Sequence, residues 1–164
     1  MKKRGAITLF RKIHFKELIV SFLIVYLIAF LGGIFTAKGA RSFWYLTIRP
    51  TITPPNWVFS IVWNILFFLI ALALYFLLIN SKDKIQRLQV EILFTINFIL
   101  NLLWSFLYFQ LRNPLFAFID LIFLWFSILT LIYISKKIDK KIIWLLIPYL
   151  LWITFAGILN FLSI

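Results

Sequence analysis

The chain has 164 residues, of which 64% are hydrophobic and 13% are charged, and its formal net charge is +12. So few charged side chains cannot solvate the surface of a globular protein of this length, and the composition therefore indicates a protein embedded in a lipid bilayer. The absence of cysteine excludes disulfides, thiolate nucleophiles and Cys-ligated metal sites, and the single histidine argues against a His-based metal site.

Five apolar segments, each near the roughly 20 residues that a membrane-spanning helix needs, predict an all-α integral membrane protein built as a bundle of five transmembrane helices. In chain order the predicted helices cover residues 18–37, 54–80, 91–111, 114–135 and 141–163. A basic segment, residues 1–17, precedes the first helix, and one long loop, residues 38–53, joins the first two helices. Residues 18–164 are therefore expected to form a single transmembrane domain.

The distribution of lysine and arginine predicts the orientation of this bundle. Basic side chains are concentrated in the N-terminal segment and in the second and fourth connectors. The opposite side of the predicted membrane carries only Lys38, Arg41, Arg49 and Arg112. By the positive-inside rule, the N-terminus is cytoplasmic and the C-terminus is outside. Because the basic residues form short clusters between apolar runs, and not one soluble face, no nucleic-acid partner is expected.

The N-terminal segment has a second interpretation. A basic start followed by an apolar run is also typical of a secretory signal peptide, and Ala37-Lys38-Gly39 loosely resembles a cleavage site. The apolar run is longer than the apolar region of a signal peptide, and further spans follow it, so a retained first helix is favoured.

Three tryptophans, Trp63, Trp104 and Trp152, lie in the middle of apolar segments, whereas Trp57 and Trp144 lie near segment ends. Tryptophan favours the membrane interface, where its indole N–H finds a polar partner, so the second pair is explained as interfacial anchors. At a rise of about 1.5 Å per residue, Trp63 lies roughly 14 Å and Trp104 roughly 12 Å from the outer ends of their helices. Trp63, Trp104 and the more central Trp152 are therefore predicted to share an interior site below the long loop.

Helical spacing groups these tryptophans with other aromatic and polar residues. The groups are Phe59, Trp63 and Phe67 on the second predicted helix, Asn97, Asn101, Trp104 and Tyr108 on the third, and Trp152, Phe155, Ala156 and Leu159 on the fifth. Members of each group recur every three or four residues and so share a helix face. Aromatic faces with a few polar groups suit a flat, largely apolar ligand with polar edges. The alternative is that these residues only pack the helices together, with asparagine joining helices by hydrogen bonds.

Asp120 lies inside the fourth predicted helix. A carboxylate within a membrane span is energetically costly and usually faces the bundle interior. One interpretation is a polar contact at the ligand site or a proton-sensitive switch. The other is a hydrogen bond or ion pair with a neighbouring helix or with Arg112.

The first predicted helix contains a row of small residues. Ala29, Gly33 and Ala37 recur every four residues, so they share one face. Such a face lets a second helix approach closely within a membrane, and we expect it to be packed against a neighbouring helix.

Motifs in four of the predicted helices combine into one pattern. They are the segments PPNWVFSIVW at 54–63, NLLWS at 101–105 and PYLLWITFAGILN at 148–160, together with Asp120. In this order they resemble the TspO/MBR family, the tryptophan-rich sensory proteins related to the mitochondrial translocator protein, also called the peripheral benzodiazepine receptor. The resemblance extends over roughly residues 32–161.

The resemblance implies a five-helix bundle, commonly a homodimer, with a pocket beneath the first extramembrane loop. That pocket would bind porphyrins and synthetic benzodiazepine-site ligands. Carried over by position, the implied ligand-binding residues are Trp44, Trp63, Phe67, Asn101, Trp104, Asp120, Trp152, Phe155, Ala156 and Leu159.

Two parts of the chain depart from the family pattern. In the family, a Trp-Tyr pair in the loop usually precedes a Lys-Pro pair. In this chain Trp44-Tyr45 precedes Arg49-Pro50, and the spacing is one residue shorter than in the family pattern. Either Phe43-Trp44 replaces that pair or the loop is shorter. No basic segment follows the fifth helix, so the sterol motif proposed for the family has no match and cholesterol binding is not carried over.

The expected function is that of a membrane receptor or sensor for porphyrin-type tetrapyrroles, such as protoporphyrin IX or a haem-like molecule, with no obligatory cofactor. One alternative is a transporter of porphyrin or another amphipathic molecule, although the sequence shows no internal repeats and only one charge within the spans that could couple transport to an ion. The other alternative is light-dependent degradation of porphyrin. The spans hold no cysteine and no paired carboxylates, so we expect no catalytic residues. The expected partners are membrane lipid and a tetrapyrrole, and the expected location is a prokaryotic cytoplasmic membrane.

Overall fold

Within the described residues, 13–164, the regular structure of the computed structural model is entirely helical, which confirms the all-α prediction. Five helices are long and apolar enough to cross a membrane. They are α1 (Phe15–Gly39), α3 (Asn56–Asn80), α4 (Lys84–Ser105), α5 (Pro114–Ile138) and α6 (Ile143–Phe161), with a short helix α2 (Phe43–Ile48) after α1. A π-helical turn (Phe106–Gln110) extends α4, and a 3₁₀ turn (Lys140–Ile142) precedes α6. Most of the predicted basic N-terminal segment, residues 1–12, lies outside the described residues.

The start of α4 differs from the start predicted by hydropathy, residue 91. The helix begins at Lys84, where the side chain of Asp83 accepts a hydrogen bond from the backbone N–H of Gln86 at 2.8 Å. An ion pair between Arg87 and Glu91 at 3.0 Å spans the next turn. A cap and a pair of opposite charges four residues apart stabilise a helix without apolar contact. Hydropathy alone therefore misses the first two turns of α4.

The five long helices form a closed ring in the order α1, α3, α6, α5, α4. α5 packs extensively against both of its neighbours, α4 and α6, whereas α1 packs mainly against α3 and less against α4. Because successive spans run in alternate directions, the start of α1 and the end of α6 lie at opposite ends of the bundle. We call the end that carries α2, the turn between α4 and α5, and the end of α6 the cavity end.

Large apolar side chains fill the half of the bundle away from the cavity end. Four helices contribute fully buried residues there, namely Ile70, Leu77, Phe94, Ile128, Leu131 and Leu146. In lipid, helices associate through close packing of this kind, since the surrounding chains are as apolar as the side chains themselves. Because this half of the bundle is tightly packed, an internal space can form only at the cavity end.

α1 approaches α4 closely through two glycines. A Cβ atom at Gly32 would meet side-chain atoms of Leu102 and Ser105 at 3.7 Å. A Cβ atom at Gly39 would lie 2.5 Å from the Cβ of Phe109, which is closer than real side chains pack. Small residues at such positions let two helix backbones come together within a membrane. Gly39 is therefore required by the packing of α1 on the π-helical turn.

Within the described residues of this chain, no helix packs against the face formed by Ala29, Gly33 and Ala37, so close approach of another helix to this face stays a prediction. Apart from the adjoining backbone of α1, no atom of residues 13–164 lies within 4 Å of a Cβ placed at Gly33, and Gly33 and Ala37 are both exposed. All three residues line the cavity described below. Spacing correctly groups them on one face of α1, but it does not indicate whether that face meets a helix or an open space.

A buried polar network joins α4, α5 and α6. The amide of Asn97 donates to the hydroxyl of Ser127 at 2.7 Å, and the Tyr149 hydroxyl donates to the amide oxygen of Asn97 at 3.2 Å. The amide of Asn101 donates in turn to the Tyr149 hydroxyl at 3.2 Å. Tyr149 thus connects two asparagines of α4 that are one helical turn apart.

We expect Tyr149→Phe to lower the free energy of unfolding by about 1–2 kcal/mol, because two buried amides each lose a hydrogen-bond partner. Unfolding of the purified protein in mixed detergent micelles measures this change. Tyr26→Phe is the matched control, since Tyr26 is exposed and no hydrogen bond involves its hydroxyl within residues 13–164. Equal stability of the two variants would contradict the structural role of the network.

Candidate ligand-binding cavity

A cavity of about 480 Å³ lies at the cavity end of the bundle. Residues of α1, α2, α3, α6 and the end of α4 line it, and within the described chain α5 contributes none. Ligand sites in proteins typically have volumes of about 300–1,000 Å³ and apolar walls with a few polar groups. The volume and position suit a small molecule that is taken up between the helices.

Trp63 forms part of the α3 wall. Its indole stacks on the ring of Phe67, with ring centroids 5.1 Å apart and planes inclined by 27°. The ring of Tyr149 meets it edge to face at 6.3 Å. These contacts hold the orientation of the indole, so its ring is positioned before a ligand binds.

Trp104 forms part of the wall at the end of α4. Its ring stacks on Tyr108 at 5.5 Å, and its indole N–H donates to the side-chain oxygen of Asn160 at 3.0 Å. The Tyr108 hydroxyl donates to the hydroxyl of Ser163 at 2.9 Å. Both aromatic side chains are thereby tied to α6 and its end, which satisfies the indole N–H away from the membrane interface.

The π-helical turn determines where the aromatic residues of α4 point. The backbone N–H of Leu111 donates to the carbonyl of Phe106 at 3.0 Å, five residues earlier. This wider turn buries the consecutive residues Tyr108 and Phe109, and both line the cavity. π-helical turns occur frequently at functional sites. The chain then reverses at Arg112, whose φ of 51° lies in the left-handed region.

The cavity opens to the outside of the bundle between α1 and α3. On α1 the lining residues are small and include the exposed Gly33 and Ala37. On α3, Asn56, Ser60 and Asn64 line the cavity and are also exposed. Because both α1 and α3 have lining residues that are exposed, the two helices do not seal the cavity where they face each other. A row of polar residues within a membrane-spanning helix therefore borders the opening.

Tyr45 and Arg41 lie at the rim of the cavity. The Tyr45 ring packs against Phe109 at 5.7 Å and is buried. Burial raises the pKa of the Tyr45 phenol above its ordinary value, and the positive charge of Arg49 acts weakly in the opposite direction. The phenol therefore stays neutral at physiological pH. Arg41 is exposed and brings a permanent positive charge to the rim.

Six of the ten predicted ligand-binding residues line this cavity: Trp63, Phe67, Asn101, Trp104, Ala156 and Leu159. Three helices, α3, α4 and α6, therefore bring together residues that the sequence placed on separate faces. That these residues bind a ligand stays a prediction, since their position establishes only that they share one internal space.

Trp152 and Phe155 do not line the cavity. The indole of Trp152 packs edge to face against Phe59 at 5.5 Å and is tilted against the ring of Phe155 at the same distance. Phe59 itself lines the cavity, so Trp152 lies behind an aromatic residue of the wall. Trp152 and Ala156 share a face of α6. Phe59 of α3 covers Trp152, whereas Ala156 faces the cavity.

Trp44 and Asp120 also lie outside the cavity wall. Trp44 meets the ring of Tyr108 edge to face at 5.8 Å, and its neighbour Tyr45 takes the lining position. Asp120 is only 5% exposed, and neither carboxylate oxygen has a hydrogen-bond partner within residues 13–164. The expected ion pair with Arg112 or hydrogen bond to a neighbouring helix is therefore wrong.

Several lining residues were missed by the sequence analysis. The polar row Asn56, Ser60 and Asn64 has a readable signal, because its members recur every four residues within an uncharged span. Asn160 and Arg41 carry no such signal. Their positions depend on how the end of α6 and the segment before α2 fold over the helices.

Comparison with known proteins adds an independent observation. The model of the TspO/MBR family matches residues 21–163. The tryptophan-rich protein TspO of Archaeoglobus fulgidus is 42% identical over 147 residues, covering 88% of this chain and 93% of that protein. Its counterpart in Chlorobaculum tepidum is 35% identical over 134 residues, covering 82% of this chain and 85% of that protein. The translocator protein of Bos taurus is 28% identical over 137 residues, covering 80% of this chain and 79% of that protein. The chain is a multi-pass integral membrane protein, and it belongs to the TspO/MBR family.

Proposed function

We propose that this protein is a membrane receptor or sensor that binds porphyrin-type tetrapyrroles, and benzodiazepine-site ligands, in the cavity between its helices. The observation that carries the proposal is the presence of two preoriented indoles, Trp63 and Trp104, on the walls of one cavity of about 480 Å³. A flat aromatic macrocycle gains stacking and edge-to-face contacts from such walls. One relative, from Cereibacter sphaeroides, is named tryptophan-rich sensory protein.

The proposed orientation places the N-terminus in the cytoplasm and the cavity end outside, in a prokaryotic cytoplasmic membrane. Support comes from the connectors, since the two at the other end of the bundle carry Lys82, Lys84, Lys136, Lys137, Lys140 and Lys141. By the positive-inside rule that end faces the cytoplasm. A homodimer, which the family resemblance implies, is part of the same proposal.

A carrier is the second candidate function, and the opening between α1 and α3 supports it. A ligand that reaches the cavity sideways from the lipid can also leave in that way, and the relative from Bos taurus is named a translocator protein. Uptake of protoporphyrin IX into sealed vesicles would distinguish a carrier from a receptor. Light-dependent degradation is the third candidate, and a new absorbing product that forms only under illumination would support it.

We expect Trp63→Leu to weaken the binding of protoporphyrin IX about 30-fold in the dark, because removal of a central aromatic contact costs about 2 kcal/mol. Titration of the purified protein, followed by the porphyrin absorption band, measures the affinity. Trp144→Leu is the matched control, since Trp144 is 74% exposed and lies at the other end of the bundle. Trp152→Leu is expected to have a smaller effect, because Phe59 covers it. An affinity that is unchanged in Trp63→Leu would contradict the proposed site.

A further inference from the structure

Four lysines lie within six residues where α5 passes into α6, at the end of the bundle opposite the cavity end. Lys136 and Lys137 belong to the last turn of α5, and Lys140 and Lys141 belong to the 3₁₀ turn that precedes α6. All four side chains are exposed. We call these four residues the lysine turn.

The acidic residue within this segment, Asp139, forms no ion pair with the lysines. One of its carboxylate oxygens accepts a hydrogen bond from the backbone N–H of Lys141 at 2.9 Å, and the other accepts one from the side-chain amide of Asn80 at 3.4 Å. The ion pairs of the described chain include none of the four lysines. The lysine turn therefore presents four positive charges to the outside, and its single carboxylate is occupied by amide groups of the protein.

Helix dipoles explain only half of this arrangement. The C-terminal end of a helix carries a partial negative charge, which stabilises Lys136 and Lys137 at the end of α5. Lys140 and Lys141 instead precede α6, and the partial positive charge at the start of a helix disfavours cations. An anion bound from outside the protein would offset this repulsion.

Two exposed aromatic residues flank the lysine turn. The ammonium group of Lys137 lies 4.4 Å from the centre of the Tyr133 ring, one helical turn earlier, and a cation–π interaction holds it there. Trp144, one turn after Lys140, is 74% exposed. Exposed tyrosine and tryptophan near the ends of membrane spans lie at the level of the lipid headgroups. The lysine turn is therefore at the depth where lipid phosphates are found.

The connector between α3 and α4, at the same end of the bundle, does not show the same excess of charge. Lys82 and Lys84 flank Asp83, and Arg87 pairs with Glu91 at 3.0 Å. This second connector thus has three basic residues against two carboxylates. Among the residues that the structure describes, uncompensated positive charge at this end is concentrated in the lysine turn.

We propose that the lysine turn is a binding site for the headgroup of an anionic phospholipid, whose phosphate contacts Lys140 and Lys141 while its glycerol backbone lies beside Trp144. Clusters of basic residues at the ends of membrane spans attract anionic lipids in this way. A phospholipid fits better than a soluble anion, because the flanking rings lie where a lipid brings both a phosphate and apolar chains. The proposal is independent of the proposed receptor function, since it concerns the opposite end of the bundle.

The test measures the affinity of the full chain for single lipids, by native mass spectrometry from neutral detergent micelles. We expect wild-type protein to bind phosphatidylglycerol more tightly than zwitterionic phosphatidylcholine. The double variant Lys140→Gln/Lys141→Gln should bind phosphatidylglycerol about 30-fold more weakly, because each lysine near an anionic lipid contributes about a factor of five. The variant Lys140→Arg/Lys141→Arg keeps both charges and should stay within about threefold of the wild type.

The double variant Lys82→Gln/Lys84→Gln is the matched control, since it removes two exposed lysines from the other connector at the same end. We expect its affinity for phosphatidylglycerol to stay within about threefold of the wild type, because each lysine there adjoins the carboxylate of Asp83. The basic residues of segment 1–17 are the same in every protein compared, so they do not contribute to the differences.

Unchanged phosphatidylglycerol binding in Lys140→Gln/Lys141→Gln, or an equal loss in the control variant, would overturn the proposal. So would wild-type protein that binds both lipids equally. Glycerol phosphate, which has the charge and no acyl chains, should not displace the bound lipid at an equal concentration, and displacement would identify a soluble anion as the ligand instead. Undiminished phosphatidylcholine binding by Lys140→Gln/Lys141→Gln reports that the variant is folded.

Discussion

Replacement of Gly33 by leucine is expected to weaken ligand binding about 100-fold while leaving the bundle as stable as the wild type. Gly33 lines the cavity, and among the described residues no atom beyond the adjoining backbone of α1 lies within 4 Å of a Cβ placed there. A leucine side chain therefore enters open space and displaces no neighbouring residue in the unliganded protein. A ligand that occupies the same space must then be compressed against it, at a cost near the upper end of the range of about 1–3 kcal/mol for overpacking. Porphyrin titration measures the loss, and thermal unfolding measures the stability.

Gly33→Ala provides the graded control for this prediction. A single methyl group fills a small part of a cavity of about 480 Å³, so we expect an affinity within a few-fold of that of the wild type. Equal binding by all three proteins would place the ligand elsewhere. A loss of stability in Gly33→Leu would instead mean that a helix packs on this face of α1, as the spacing of small residues had predicted.

Hydropathy was sufficient to predict the five spanning helices, because the length of an apolar run is set directly by the thickness of the bilayer. Hydropathy was not sufficient to predict the residues at which the helices begin and end. α4 begins at Lys84 because Asp83 caps it, and it ends in a π-helical turn that no composition or spacing indicates. The turn matters for the site, since it positions Tyr108 and Phe109 along the cavity.

The spacing of residues along a helix predicted which side chains share a face, but not what that face meets. Trp152 and Ala156 are one turn apart on α6, and only Ala156 lines the cavity because Phe59 of α3 covers Trp152. Asp120 was expected near the site, yet it belongs to α5, which contributes no lining residue among those described. The rotation of each helix depends on its neighbours in the ring, and that information is not local to any segment.

The second large effect is expected from Gly39→Ala, which should lower the free energy of unfolding by about 3 kcal/mol, the upper part of the range for an overpacked core. The new methyl group would lie 2.5, 2.6 and 2.8 Å from three side-chain carbons of Phe109. One of these is the Cβ, which is fixed to the backbone of the π-helical turn and cannot rotate away. The backbone of Gly39 itself imposes no requirement, because its φ is not positive. The cost therefore arises from the closeness of two backbones.

Gly32→Ala is the matched control on the same helix, since its Cβ would meet Leu102 and Ser105 at an ordinary 3.7 Å. We expect it to be neutral or slightly stabilising, because alanine is favoured over glycine within a helix by up to about 1 kcal/mol. Gly39→Ala should also weaken porphyrin binding, since relief of the clash moves the turn that holds Tyr108 against the cavity. Phe109→Leu should not rescue the Gly39→Ala variant, because leucine keeps the offending Cβ. Full rescue by Phe109→Leu would show that the aromatic ring, and not the approach of the two backbones, makes glycine necessary at this position.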